Sequence, residues 1–174
     1  MDTDQIDLPG ALVHLRSTTA ADRDRLVAIR ATPEVRQRWR GNDLVAEFDE
    51  DLADEDVVHL TIWTTEGVIV GLIQYGEEDE PDYRSASIDI YVDPAAHRRG
   101  YATAAIKTLV DYLFDEVGHH RLTIDPAADN TAAIACYRAV GFEPVGVLRS
   151  YERQADGTWA DGLLMDMLST DRAW

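Results

Sequence analysis

Ile88-Asp89-Ile90-Tyr91-Val92, followed by His97-Arg98-Arg99-Gly100-Tyr101-Ala102 and the run to Val117, decides how this chain folds. The first five residues alternate, with Ile88, Ile90 and Val92 on one face and Asp89 and Tyr91 on the other, the period of a strand. A basic, glycine-punctuated turn comes next. Ala102, Ala105, Ile106, Leu109, Leu113 and Val117 then recur at helical spacing, and Gly118 ends the run. A second strand, Arg121 to Asp125, leads to a short helix from about Thr131 to Val140, which Gly141 stops before Phe142. A strand that feeds backbone amides and a helix N-terminus onto one point is a physical means of holding a diphosphate.

Working outward, Ala11 to Arg16 alternates as a first strand. Thr18 or Thr19 caps a helix through about Ala31, and Pro33 suits the first turn of another reaching Trp39 to Gly41. Leu44, Val45, Phe48 and Leu52 sit at helical spacing in the acidic stretch from Asn42 to Asp56. Val57 to Trp63 and Val68 to Tyr75 read as a hairpin around Thr64-Thr65-Glu66-Gly67. Glu77 to Asp82 reads as a charged loop. Val145 to Arg153 and Trp159 to Leu168 read as a terminal hairpin around Ala155-Asp156-Gly157. The expectation is an α/β (α+β) chain: a mixed, mostly antiparallel sheet of about seven strands with helices on both faces. Residues 1–10 are expected to form a loose tail and residues 11–174 a single domain.

With 174 residues the chain is long enough to bury a core without staples. Its single cysteine, Cys136, has no internal partner for a disulfide, and Met1 to Gly10 is acidic rather than leader-like. No apolar run is long enough to span a bilayer, so the cytoplasm is the expected location. The 33 Asp and Glu against 16 Lys and Arg give a formal charge of −17, which speaks against nucleic acid or an anionic membrane as partner. It suits a small cationic amine, and equally a host whose proteins are generally acidic. His97-Arg98-Arg99 is the local exception.

The order of these pieces resembles the GNAT acetyltransferases. More narrowly, Asp125-Pro126, Asn130, Ala133-Ile134, Cys136-Tyr137 and Gly141-Phe142 resemble the aminoglycoside 6'-N-acetyltransferases. The resemblance implies a GNAT fold and acetyl-CoA as acetyl donor, with no metal. It implies that the backbone from His97 through Arg98, Arg99, Gly100, Tyr101, Ala102 and Thr103 grips the diphosphate. His97 stands where that pattern carries Gln or Arg, so its main-chain N–H rather than its side chain is expected to serve. Asn130 and Ala133 would meet the pantetheine arm, and Ile90, Tyr91 and Val92, on a strand that is bulged in the family, would polarise the thioester carbonyl. By the same resemblance Tyr137 is the general acid that protonates the departing thiolate. A half-buried packing tyrosine and a helix-capping Asn130 are the plainer readings of the same residues.

Asp89 and Asp125 are the candidate acceptor residues. The resemblance implies that the two strands carrying them splay apart at their ends, and a carboxylate on each lip would bind an ammonium and draw a proton from it, with Asp89 as base and Asp125 as anchor. Otherwise Asp89 is a solvated outward residue and Asp125 a turn former before Pro126. Cys136 lacks a histidine placed to activate it. His14, His59, His119 and His120 lack metal-ligand spacing and are expected at the surface. Glu47 to Asp56 and Glu77 to Asp82 are candidates for a negative rim, though charge runs are more often solvated faces, and Trp39, Phe48 and Tyr83 are candidates to wall the acceptor. The function this implies is acetyl transfer to a primary amine, preferably of an aminoglycoside. A protein N-terminus, a polyamine, a siderophore precursor or a non-catalytic acyl-CoA sensor are the alternatives, and pairing through exposed sheet edges would give a homodimer.

Overall fold

A computed structural model describes residues 5–174; residues 1–4 of the expected tail lie outside the described residues. The sheet has eight strands in the order β1-β2-β3-β4-β5-β6-β8-β7: Asp7–Pro9, Val13–Ser17, Val57–Thr64, Ile69–Glu78, Ser85–Val92, Arg121–Ile124, Trp159–Leu168 and Glu143–Arg153. Every neighbouring pair is antiparallel except β5 and β6. Helices α1 (Arg23–Arg30), α2 (Pro33–Arg38) and α3 (Leu44–Ala53) precede the β3–β4 hairpin; α4 (Tyr101–Asp111) and α5 (Thr131–Val140) follow β5 and β6. Thr19 is the cap residue chosen: its N–H donates to Asp22 Oδ2 at 2.9 Å, and the Thr61 hydroxyl donates to the same oxygen at 3.0 Å. That fixes the start of α1 onto β3.

The strand beyond the expected count is β1. Residues 7–9, read as tail, pair with β2, because Ile6 and Leu8 pack on the core and the Ile6 N–H donates to the Ser17 hydroxyl. One face of the sheet packs α4 and α5 through Leu15, Ile62, Ile73, Ile88, Leu109 and Phe142, all at most 1 % exposed. The other face packs α1–α3 through Leu26, Ile29, Phe48, Leu72 and Tyr91. Val45, which shares the helical spacing of α3, points outward instead. The α4 helix widens into a π turn at Tyr112–Glu116 before Gly118, rather than running evenly to Val117. His119 is buried, not superficial; its Nε2 meets Glu77 Oε1 at 2.6 Å.

The feature that opens a site is the β5–β6 pair. These parallel strands match only at Ala86↔Leu122 and Ser87↔Thr123, after which they part. Residues 88–92 of β5 and the end of β6 therefore diverge, leaving a gap in the middle of the sheet at their C-terminal ends. No helix among the described residues is long and apolar enough to cross a membrane. The free edges are β1 and β7, and β7 exposes Val145 and Val147.

Candidate active site

An open cleft of about 1140 Å³ occupies the gap between β5 and β6. One wall is the turn before α4. Arg98 and Gly100 both take positive φ, +61° and +80°, so the chain curls and turns successive N–H groups the same way. The N–H groups of Arg98 through Thr103 meet no protein acceptor among the described residues, and the first α4 bond back into the turn is Ala104 N–H to Gly100 O at 2.9 Å. These orphan donors coincide with the positive end of the α4 dipole. Neither Arg98 nor Arg99 forms an ion pair among the described residues. The arrangement fits a diphosphate.

The His97 expectation needs correction. Its N–H is turned inward to Pro94 O at 3.2 Å, and its ring nitrogen Nε2 lies 3.0 Å from Val92 O. A carbonyl only accepts, so Nε2 carries the proton. His97 braces the turn against β5; the donors begin at Arg98. Arg99 is absent from the cleft lining, whereas Arg98, Gly100, Tyr101, Ala102 and Thr103 are in it.

On β5 the bulge implied by the resemblance is missing: the β4–β5 register is unbroken from Gly71↔Val92 to Glu78↔Ser85. The Asp93 N–H donates to Val70 O, so alternation commits Asp89 and Tyr91 to β4 and turns the N–H groups of Ile90 and Val92 towards the gap. Ile90 and Val92 are thus the free donors. Tyr91 contributes its ring, which meets Trp39 edge-on with centroids 4.9 Å apart. Opposite, the Asn130 side chain caps α5 by accepting from Ala133 N at 3.3 Å, which leaves its amide N–H groups available. Ala133 and Cys136 line the same wall.

The acid–base groups converge here. Asp89 opens into the cleft beside Gln74, Asp125 and Tyr151. Surrounding protein first, and then the Asp125 charge, push its carboxyl up to about 6 against a hydrogen bond from Gln74. Tyr137 is buried, and burial, the Cys136 thiol and the two aspartates raise its phenol far above the ordinary value. Its hydroxyl has no hydrogen-bond partner among the described residues. A carboxylate poised near neutrality and a phenol that holds its proton are groups with the chemistry of a base and an acid.

Asp125 is held by a residue that sequence reasoning passed over. The Tyr151 hydroxyl donates to Asp125 Oδ2 at 2.5 Å. Arg38 pairs with Asp129 at 2.6 Å, and Arg40 pairs with Glu152 and donates to Arg153 O at 2.9 Å. These contacts tie α2 and the loop after it across the cleft to the β6–α5 loop and β7. The acidic rim is not where the runs suggested. Glu47 and Asp51 pair with Arg30, and Asp49 with Arg23. Glu77 to Asp82 lies at the N-terminal end of β5, opposite the cleft. Of the expected aromatic wall only Trp39 lines the cleft; Phe48 is in the α1–α3 core, and Tyr83 sits exposed in the β4–β5 turn. Among the described residues no three His, Cys, Asp or Glu side chains converge as a metal site.

Orphan N–H groups at a helix start, free β5 donors and a carboxylate facing a phenol in one split sheet are the parts that an acyl transfer needs. The model of the acetyltransferase (GNAT) family matches residues 26–142, and the chain belongs to that family. The N-alpha-acetyltransferase RimI of Mycobacterium tuberculosis is 30% identical over 81% of this chain and 85% of its own length. The probable N-acetyltransferase YjcK of Bacillus subtilis is 24% identical over 73% and 70%. The spermidine N-acetyltransferase of Vibrio cholerae, solved with CoA and spermine, superposes with TM-score 0.80 at 20% identity, covering 92% of this chain and 98% of that one. The protein is an acetyl-CoA-dependent N-acetyltransferase.

Proposed function

We propose that the enzyme acetylates a single ammonium seated between Asp89 and Asp125, and that this ammonium is the α-amine of a peptide or protein. The observation that carries the reading is the meeting of Asp89, Asp125 and the free Tyr137 hydroxyl in one cleft. Acetyl-CoA supplies an activated acyl group as a thioester. Arg98 to Thr103 hold its diphosphate, Asn130 and Ala133 flank the pantetheine arm, and the Ile90 and Val92 N–H groups donate to the carbonyl oxygen as negative charge develops there. Asp89 takes the proton from the ammonium and so frees the nitrogen lone pair for attack. Tyr137 donates its phenolic proton to the departing sulfur.

Charge in the cleft supports the choice of acceptor. Glu152 and Asp129 are neutralised by Arg40 and Arg38, so the cleft carboxylates without a cation among the described residues are Asp89 and Asp125, with Glu34 on α2 as the third. One ammonium fits; a chain of several meets few further anions. A polyamine is the second reading, favoured by Glu34, a cleft residue with no ion pair among the described residues, and by the likeness to the Vibrio cholerae enzyme. The aminoglycoside implied by the motif resemblance ranks third, because only one of three expected aromatic walls faces the cleft. Thiol release from acetyl-CoA separates them. A short peptide with a free α-amine should outpace spermine and kanamycin in kcat/KM, and its N-blocked form should be inert. Faster turnover of spermine or kanamycin would overturn the peptide reading. Binding of acetyl-CoA without turnover of any amine would make the chain a sensor.

A further inference from the structure

The β7 strand departs from regular pairing at one place. Between Leu148↔Gly162 and Glu152↔Ala160 it carries two more residues than β8, and Ser150 takes φ +48°. A non-glycine residue there is strained and persists only where its surroundings hold it. They do: the Ser150 N–H donates to Asp161 Oδ1 at 2.8 Å. The consequence is the placement of Tyr151. Its ring packs against Gly162, where an added Cβ would fall 2.9 Å from Tyr151 Cδ1. Its hydroxyl then reaches Asp125 across the cleft. A bulge, a strained serine and a bare glycine thus deliver one phenol to one carboxylate.

We propose that Tyr151 is a positioning residue that divides labour between the two carboxylates, fixing Asp125 as the charged anchor of the ammonium and leaving Asp89 to take the proton. The inference rests on the acyl-transfer reading above. Two like charges facing one cleft favour sharing a proton between them. A short hydrogen bond from a neutral phenol stabilises negative charge on one member of the pair and breaks that symmetry. The geometry also leaves the second Asp125 oxygen for the substrate. The charged and titratable groups facing Tyr151 are Asp125 and Asp89, with Glu152 beside it on β7, itself paired to Arg40. Tyr137 and Cys136 face the same carboxylates from α5. With Asp125 accepting its proton, the Tyr151 phenol is pushed up to about 12, so it stays a donor throughout the working range.

Tyr151→Phe keeps the ring on Gly162 and removes only the hydroxyl; the residue is half exposed, so folding is not at stake. Loss of a hydrogen bond to a charged group should raise KM for the amine by about tenfold or more, with KM for acetyl-CoA unchanged. The acid limb of kcat/KM should move to higher pH, since the pair then retains a proton longer. Carbon-13 carboxyl NMR of Asp89 gives a readout independent of turnover: its titration should change between the native protein and Tyr151→Phe. An unchanged acid limb with unchanged amine KM, or carboxyl titrations that do not respond, would overturn the proposal. If the native protein turns over no amine, the transfer reading falls by itself, and the carboxyl titrations still judge the Tyr151 contact.

Discussion

Asp89 makes the strongest demand on experiment. Its side chain opens into the cleft, where the surrounding protein first and the Asp125 charge second push its carboxyl up to about 6. A base must be ionised to work. At pH 7 about nine-tenths of such a group is charged and at pH 5 about one-tenth, so kcat/KM should fall about tenfold between them. The alkaline limb should follow the pKa of whichever amine is supplied. Loss of thioester absorbance is the suitable assay, because thiol reagents themselves titrate across this range. Asp89→Asn should cost about 10²–10⁴ in kcat/KM and abolish the acid limb. Asp125→Asn should shift that limb to lower pH while raising the amine KM, since the first cause of the shift remains and the second is gone. Stability gives an independent reading. A folded-state value above the unfolded one means that folding binds protons, so ionising Asp89 destabilises the fold as pH rises from about 4 through about 6. Asp89→Asn should therefore raise Tm more at pH 7 than at pH 4. A native profile flat from pH 5 to 7, or an acid limb surviving in Asp89→Asn, would refute the assignment of the base.

Tyr137→Phe should lower kcat by about 10²–10⁴ while calorimetry shows CoA affinity intact, because the proposed mechanism has the phenol act at the sulfur and Arg98 to Thr103 hold the diphosphate; unchanged turnover would remove it from the mechanism. Gly100→Ala must hold a Cβ at φ +80°, which costs about 1 kcal/mol. The added atom meets only Leu12 Cδ2 at 3.5 Å, so the fold should survive with Tm lower by about 2–4 °C. CoA affinity should fall with it, as the donors rotate out of line. Affinity equal to the native protein's would mean the clasp is elsewhere.

The parts of the site legible in the chain are those built from neighbours in sequence. Alternation through Asp89 places that side chain opposite Ile88 and Ile90, and α5 runs from Thr131 to Val140 as its Asn130 cap and Gly141 stop require. Gly100 announces the turn. Tyr151 was hidden for a physical reason: the bulge that aims it turns on Ser150, a residue with no mark of positive φ. Arg38 and Arg40 were hidden because their partners lie 91 and 112 residues away. The acidic runs form paired or solvated faces, as such runs commonly do, rather than a rim, because charge density along a chain does not say at which end of a sheet it will lie. The short β1 read as tail because three residues ending in proline carry too little pattern; only packing against β2 makes them a strand.

The distribution of charge is what reconciles a polyanionic donor with a chain of net charge −17. The donor side needs no large excess of lysine or arginine, since oriented N–H groups and a helix terminus supply positive potential without a full charge. They leave the surface free to be acidic. The acceptor side works by subtraction. Arginines at 30, 38 and 40 pair with Glu47, Asp129 and Glu152, so the cleft's carboxylates without a cation among the described residues are Asp89, Asp125 and Glu34, rather than the whole acidic total. A cation drawn broadly towards the protein is thereby steered to one seat, next to the one carboxyl that is half protonated near pH 6. Reversing that cancellation, for instance by Arg40→Gln, frees Glu152 beside Tyr151 and creates a second anionic seat. On this argument the change should improve spermine more than a peptide as acceptor, and an equal effect on both would show that bulk charge, not its placement, selects the amine.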